Sequence, residues 1–110
     1  MLQVAFETKS LRAVCEDESR ARREYEPGVV EALQRRLADL RAAFTVRDIL
    51  AGHPRVVDGA GEDCLVVDLE GSWQIVLAAN HPRNPRTASG ACDWGKVTRV
   101  RVLRIENRDA

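Results

Sequence analysis

The chain has 110 residues, a length that fits one domain over residues 1–110 with a single modest core. Seventeen Lys and Arg balance seventeen Asp and Glu, and 45% of the residues are hydrophobic, so the composition indicates neither disorder nor a strongly charged partner. The last thirty residues hold seven basic and three acidic side chains. This basic third fits a surface that meets phosphates or an acidic protein, and equally a solvated strand edge.

Three cysteines, Cys15, Cys64 and Cys92, are widely spaced and form no Cys-x-x-Cys pair. This spacing favours reduced thiols over a disulfide framework or a zinc site. The sequence also lacks a P-loop, a Gly-rich dinucleotide fingerprint and an apolar run long enough to span a membrane, and its first residues do not fit a signal peptide. We therefore expect a cytoplasmic protein with no membrane association, no metal and no cofactor.

The N-terminal half is predicted to be mainly helical. Residues 2–6 alternate with period two, as in a strand, and residues 8–18 show helical spacing. The charge-dense residues 16–26 are predicted as a solvated helix end and connector. A second helix covers residues 28–44 and is followed by a capping box, Thr45 with Asp48, which predicts one further helical turn. Its core-facing stripe comprises Val30, Leu33, Leu37, Leu40 and Phe44.

The C-terminal half is predicted to form strands. Residues 58–61 form a loop, and residues 63–69 and 73–80 then alternate around Glu70-Gly71-Ser72, the pattern of an antiparallel hairpin in the middle of a sheet. Residues 81–96 are predicted as a long loop. The last strand, 97–107, changes parity near Val102, which either a bulge or burial on both faces explains. The predicted order is β-α-α-β-β-β, an α+β domain with two N-terminal helices on one face of a small, mostly antiparallel sheet.

Aromatic and histidine side chains are the first candidates for a site. His53 and His81 each precede a proline at the edge of the predicted sheet. Histidine titrates near neutral pH, so either fits a general acid or base, although a surface turn residue shows the same pattern. Trp73 is expected to pack in the core and Trp94 to anchor the long loop, while either ring would also stack on a base.

Four stretches together resemble a known family: LQRRLADLRAAFTVRDI, GHPR, DLEGSWQIVL and GACDWGKVTRVRVLRI. In this order they are similar to the RelE/ParE superfamily of toxins, and most of all to the HigB-like killer proteins of type II toxin–antitoxin modules. The resemblance covers roughly residues 2–109, and its most specific part is Gly-x-x-Asp-Trp-x-Lys-Val-Thr at residues 90–98.

The resemblance implies a RelE-like fold and a ribosome-dependent mRNA endonuclease, a toxin that arrests growth. Such toxins use no metal or cofactor, and a cognate antitoxin, often a helix-turn-helix protein, neutralises them. Cleavage proceeds by attack of a ribose 2′-OH on the adjacent phosphate. Basic residues must therefore stabilise negative charge while an acid and a base move protons.

Transferred position by position, the resemblance places the family's histidine before the hairpin at His53 and the arginine of the second arm at Gln74. The C-terminal Asp-Tyr-His falls on Asn107, Arg108 and Asp109. The candidate catalytic residues are therefore His53, Gln74, Arg108 and Asp109. The candidate RNA-binding residues are basic: Arg55, His81, Arg83, Arg99 and Arg101.

Gln74 departs from the family pattern because a neutral amide supplies neither the charge nor the bidentate fork of a guanidinium. Two interpretations follow. A rearranged site draws on Arg55, His81, Arg83, Arg101 and Arg108, or the domain keeps the fold and the antitoxin contact with weak or no nuclease activity. That second class includes a partner of a DNA-binding regulator and a ParE-like inhibitor of another target. A metabolic enzyme would be a third class, but the sequence shows no substrate-binding signature for one.

Overall fold

A computed structural model describes residues 1–59 and 61–109, so Ala60 of the predicted 58–61 loop and the terminal Ala110 lie outside the described residues. The described residues form three α-helices, two 3-10 turns and five strands. The strands are β1 (Gln3–Phe6), β2 (Arg55–Gly59), β3 (Glu62–Asp68), β4 (Trp73–Ala79) and β5 (Arg99–Asn107). The helices are α1 (Lys9–Glu16), α2 (Glu18–Glu24) and α3 (Pro27–Ala42), and the 3-10 turns are Val46–Asp48 and Trp94–Lys96.

The sheet has the strand order β1-β5-β4-β3-β2. Strands β2, β3, β4 and β5 pair antiparallel, whereas β1 pairs parallel with β5. The predicted hairpin is confirmed as β3 and β4, with Cys64 opposite Ala78 and Asp68 opposite Gln74. Gly71 has φ +61°, a value that glycine adopts without strain, and this explains the Gly in the turn. The predicted α+β class with a mostly antiparallel sheet is confirmed.

Asp17 divides the first helical region into two helices. Its backbone is extended, with φ −119° and ψ 106°, and its carboxylate accepts from the amide of Ser19 at 3.0 Å, which caps α2. The prediction of a connector is therefore wrong for Glu18–Glu24. A dense run of charges fits a solvated helix as well as a connector, and the capping geometry that separates the two depends on the backbone.

Helix α3 packs its apolar stripe into the core as predicted, except at its last position. Leu33, Leu37 and Leu40 are fully buried, whereas Phe44 is 71% exposed. The helix ends at Ala42, and the extended backbone of Ala43 moves the next residue off the helical stripe. The capping box is confirmed, because the Asp48 carboxylate accepts from the amide of Thr45 at 3.0 Å and a 3-10 turn follows Thr45.

The two faces of the sheet differ in what covers them. Leu65, Ile75 and Leu77 point to the helices and form the main core with them. Cys64, Val66 and Val76 lie on the opposite face in a small cluster with Leu103. We call this second side the distal face. The register of the strands assigns it these further residues: Arg55, Asp68, Gln74, Ala78, Arg101, Arg104 and Glu106.

A bulge sets the register of β5. Val76 pairs with Arg104 and Leu77 with Val102, so Leu103 is the extra residue and projects to the distal face. Of the two explanations for the broken alternation, the bulge near Val102 is thus confirmed. It turns Arg104 and Glu106 to the side that carries Gln74.

Strand β2 was not predicted. It covers Arg55–Gly59, within the segment interpreted as the approach to the hairpin, and pairs with β3. Asp58-Gly59 has the composition of a turn, and the two valines before it make too short a run to indicate a strand. The pairing places Arg55 opposite Val66, on the distal face beside the predicted site.

The long loop is tied to the rest of the chain. Trp94 is 7% exposed and belongs to the main core, as expected of a loop anchor. Trp73 is half-buried and meets Tyr25 edge to face, with ring centroids 5.2 Å apart. None of the helices in residues 1–59 and 61–109 is long and apolar enough to cross a membrane.

Candidate functional site

The candidate site lies on the distal face, at the end next to the β3–β4 turn. Gln74 is its centre and is only 7% exposed. Its side-chain carbonyl accepts from Arg55 Nη2 at 3.1 Å, and its amide donates to Glu106 Oε2 at 2.9 Å. A buried amide needs such partners on both sides, so Gln74 joins edge strand β2 to β5 through polar contacts.

Three hydrogen bonds fix the orientation of the Arg55 guanidinium. Its Nη1 donates to Asp68 Oδ1 at 3.0 Å and to the backbone carbonyl of His53 at 3.0 Å. Its Nη2 donates to the side-chain carbonyl of Gln74. The guanidinium thus reaches from β2 across β3 and stands at the tip of the side chain at position 74. A positive charge is supplied there from β2, two strands away in the sheet, although residue 74 is neutral.

Glu106 is the second carboxylate of the site. Arg104 donates through Nε to one of its oxygens and Gln74 to the other. The hydrogen bond from Arg104 holds the pKa of the Glu106 carboxyl below its usual value, and the contact with Gln74 acts in the same direction. Glu106 is therefore ionised at neutral pH and acts as an acceptor in this arrangement.

Arg108 closes the site from the C-terminal side. Its Nε and Nη2 donate to the backbone carbonyls of Ser72 and Gly71 at 3.3 and 3.4 Å, and its Nη1 lies 3.8 Å from Asp68 Oδ1. The Ser72 hydroxyl and Asn107 Oδ1 are 2.6 Å apart, which ties the hairpin turn to the end of β5. Asp109 follows with an exposed side chain, and its amide donates to Asn107 Oδ1.

His53 lies at the rim with a strained backbone. Its φ is +47°, in the left-handed region that a side chain disfavours, and it follows Gly52 at φ +85°. The Gly52 carbonyl accepts from the amide of Asp68 at 2.6 Å, and a Cβ on Gly52 would lie 2.5 Å from Val67 Cγ1. Close packing of the glycine against β3 therefore fixes this turn. The side chain of His53 is exposed, and its backbone carbonyl accepts from Arg55 Nη1.

Within the described residues, the site joins three guanidinium groups, of Arg55, Arg104 and Arg108, to two carboxylates, of Asp68 and Glu106. The formal net charge of these five side chains is +1. Guanidinium groups with fixed orientation bind phosphate oxygens through paired N–H donors. The site therefore has the chemistry of an anion site, with an imidazole at its edge. No group of three His, Cys, Asp or Glu in residues 1–59 and 61–109 is arranged to hold a metal.

The other candidate RNA-binding residues lie toward the opposite end of the face. Arg101 is opposite Ala78, about 13 Å along β4 from Gln74. Its Nε lies 2.6 Å from Glu7 Oε2 and its Nη2 lies 3.8 Å from Glu62 Oε1. Its Nη1 donates to Asn80 Oδ1 at 3.4 Å. Arg99 is exposed two residues earlier.

The loop residues among the candidates also lie beyond the far end of β4. His81 Nε2 accepts from the backbone amide of Thr98 at 3.1 Å. Arg83 is exposed. The structure thus gathers His53, Arg55, Gln74 and Arg108 at one end and leaves His81, Arg83, Arg99 and Arg101 at the other.

Asp68, Arg104 and Glu106 were not among the residues singled out from the sequence. One signal for Asp68 was present, because the alternation of the hairpin gives Asp68 and Gln74 the same parity as Val66 and Val76. Arg104 and Glu106 required the bulge to be placed.

Comparisons of the chain with protein-family models, with curated proteins and with solved structures found no match. The α+β fold and the polar site therefore rest on the structure alone.

Proposed function

We propose that this protein is the toxin of a type II toxin–antitoxin module and acts in the cytoplasm as an endoribonuclease on ribosome-bound mRNA. The observation that carries the proposal is the position of the Arg55 guanidinium, 3.1 Å from the side-chain carbonyl of Gln74. The sequence resemblance to HigB-like toxins calls for a cation at residue 74. Arg55 supplies that cation from strand β2, which supports the rearranged site over the loss of the site.

In this proposal each residue has a distinct role. The ribose 2′-oxygen forms a bond to the adjacent phosphorus and the bond from phosphorus to the 5′-oxygen breaks, leaving a cyclic phosphate and a 5′-hydroxyl. Arg55 and Arg108 stabilise the charge on the phosphate oxygens, His53 takes the proton of the 2′-hydroxyl, and water gives a proton to the departing 5′-oxygen. Gln74 touches no substrate and positions Arg55, while Asp109 lies at the rim of the site. The proposal assigns no metal and no cofactor.

The partner in this proposal is a helix-turn-helix antitoxin. Its contact is supported by exposed apolar residues away from the site. Phe44 is 71% and Leu50 is 87% exposed, and both border a cleft of about 400 Å³ at the C-terminal end of α3. Exposed apolar patches of this kind mark protein interfaces.

The test is expression of the protein without its neighbouring genes, with growth and transcript cleavage measured together. The proposal expects growth arrest and codon-positioned cuts when the purified protein meets ribosomes and mRNA. Arg108→Ala should remove both effects. The matched control is Arg23→Ala. Arg23 is exposed on α2, so this substitution removes the same charge away from the sheet and should leave growth arrest and cleavage unchanged. Normal growth with intact transcripts, at verified protein levels, would contradict the nuclease.

A second candidate function is a binding module with this fold and no nuclease activity. It is favoured by the neutral Gln74 and by Asp68, whose carboxylate already accepts a hydrogen bond from Arg55 Nη1. Arg55→Ala separates the two candidates. Ribosome-dependent cleavage that is present in the wild type and lost in this variant supports the nuclease, and intact mRNA with the folded wild type supports the binding module.

A further inference from the structure

Two guanidinium groups face one carboxylate oxygen at the turn end of the distal face. Arg55 Nη1 lies 3.0 Å and Arg108 Nη1 lies 3.8 Å from Asp68 Oδ1. The two arginines belong to different parts of the fold, the first residue of β2 and the residue after β5. Two guanidinium groups directed at one carboxylate oxygen are also able to face one phosphate oxygen, since arginine donates charge-assisted hydrogen bonds to both kinds of anion.

Backbone groups orient both guanidiniums without help from Asp68. Arg55 is held by the carbonyl of His53, and Arg108 is held by the carbonyls of Gly71 and Ser72. These carbonyls belong to two tight turns, one of which contains the strained residue 53. The two cations would therefore keep their orientation if the charge of Asp68 were removed, and they would then face each other without a counterion.

Donors are available for a ligand. Arg108 Nη1 is too far from Asp68 for a hydrogen bond, and it makes none elsewhere within the described residues. Asp68 has 27% of its side chain exposed, so its carboxylate is able to turn toward solvent. Its backbone amide bonds to the Gly52 carbonyl at 2.6 Å, so such a rotation leaves β3 in place.

We propose that Arg55 and Arg108 form a binding site for one phosphate group of an RNA strand, and that Asp68 occupies this site in the free protein as an internal competitor. The inference rests on the proposed function, since it uses the same site, and adds its regulation. An incoming phosphodiester must displace the carboxylate, so the free protein binds RNA weakly. A surface that aligns RNA, such as a ribosome, overcomes that competition.

The experiment measures binding rather than cleavage. Wild type and Asp68→Asn are titrated calorimetrically with inorganic phosphate and with a short 2′-O-methyl oligoribonucleotide, which lacks the attacking hydroxyl. Asp68→Asn should bind both probes about tenfold more tightly, because a charged competitor becomes neutral. Adding Arg108→Ala to Asp68→Asn should abolish the gain.

Glu62→Gln is the matched control. It changes the net charge by the same amount on the same face, but beside Arg101 at the far end. Its affinity for both probes should stay within about twofold of wild type, the range of a screened remote charge. Asp68→Ala, which also empties the space of the carboxylate, provides a second variant, and thermal unfolding checks that each variant folds.

No tightening in either Asp68 variant would overturn the inference, as would an equal gain in Glu62→Gln, which would assign the effect to net charge. A gain for inorganic phosphate alone would contradict RNA as the source of the phosphate group. These outcomes are independent of nuclease activity. A protein that cuts no RNA and still shows the gain contradicts the proposed function and supports the site.

Discussion

Arg55 on the edge strand donates to Gln74 on the central strand, with Nη2 and Oε1 3.1 Å apart. The contact spans β3 and joins residues that are nineteen positions apart in the chain. It places a guanidinium at the point where the resemblance to RelE-type toxins expects the side chain of residue 74 to supply one. The proposed function depends on this relationship, because it restores positive charge to a site that the sequence at position 74 leaves neutral.

Replacing Gln74 by leucine tests the structural role of this amide. Gln74→Leu leaves Arg55 Nη2 and Glu106 Oε2 each without a buried partner, so we expect a loss of about 1–3 kcal/mol in the free energy of unfolding. Urea denaturation measures it. Gln3→Leu, the same substitution at an exposed position of β1, should change stability by less than about 0.5 kcal/mol. Equal losses in the two variants would contradict the buried network.

The backbone angle of His53 predicts which of two substitutions there gives the more stable protein. In ordinary turn positions alanine is more favourable than glycine, because glycine loses more conformational entropy on folding. At φ +47° the order should reverse, with His53→Gly more stable than His53→Ala by about 1 kcal/mol. Thermal melts of the two variants decide it. If the alanine variant were the more stable one, the left-handed turn would be incorrect.

Glu106 links stability to pH. Its pKa is lowered in the folded state, so its contribution is present above the unfolded value of 4.5 and is lost as the pH falls through the folded value. The wild type should therefore exceed Glu106→Gln in stability at neutral pH, and the difference should shrink in acid. Because the side chain is 34% exposed, we expect a difference below about 1 kcal/mol. Denaturation at a series of pH values measures it, and a pH-independent difference contradicts the assignment.

Leu40 and Phe44 belong to the same predicted apolar stripe, but only Leu40 is buried in the core. Leu40→Ala should cost about 2–5 kcal/mol, because the leucine is 1% exposed and its removal leaves a cavity. Phe44→Ala should cost less than about 0.5 kcal/mol, since the ring is 71% exposed. Parallel urea curves compare the two. A large loss for Phe44→Ala would mean that the helix continues beyond Ala42.

The sequence predicted those features of the fold that depend on local periodicity. The hairpin, the stripe of α3 up to Leu40 and the irregularity near Val102 all follow from alternation or helical spacing. Helix α2 and strand β2 did not follow, for physical reasons. Asp17 caps α2 because its backbone is extended, and the sequence does not show that angle. Strand β2 is stabilised by its pairing with β3, a contact that depends on the tertiary fold.

The position of the candidate site could be predicted from the sequence, but the contacts between its side chains could not. The resemblance directed attention to His53, Gln74 and Arg108, and the structure brings these residues together. Their partners Asp68 and Glu106 come from strands on either side of Gln74, and contacts across strands leave no spacing signal in the sequence. The role of Asp68 as the group between two arginines depends on side-chain reach, which only the three-dimensional structure defines.

The most direct test of the proposed nuclease is a cleavage assay with purified protein, ribosomes and a defined mRNA, read by primer extension. The proposed function predicts cuts at fixed codon positions that need the ribosome, disappear in the Arg55→Ala/Arg108→Ala double variant and persist in Arg23→Ala. Intact mRNA with folded wild-type protein at the same concentration would contradict it.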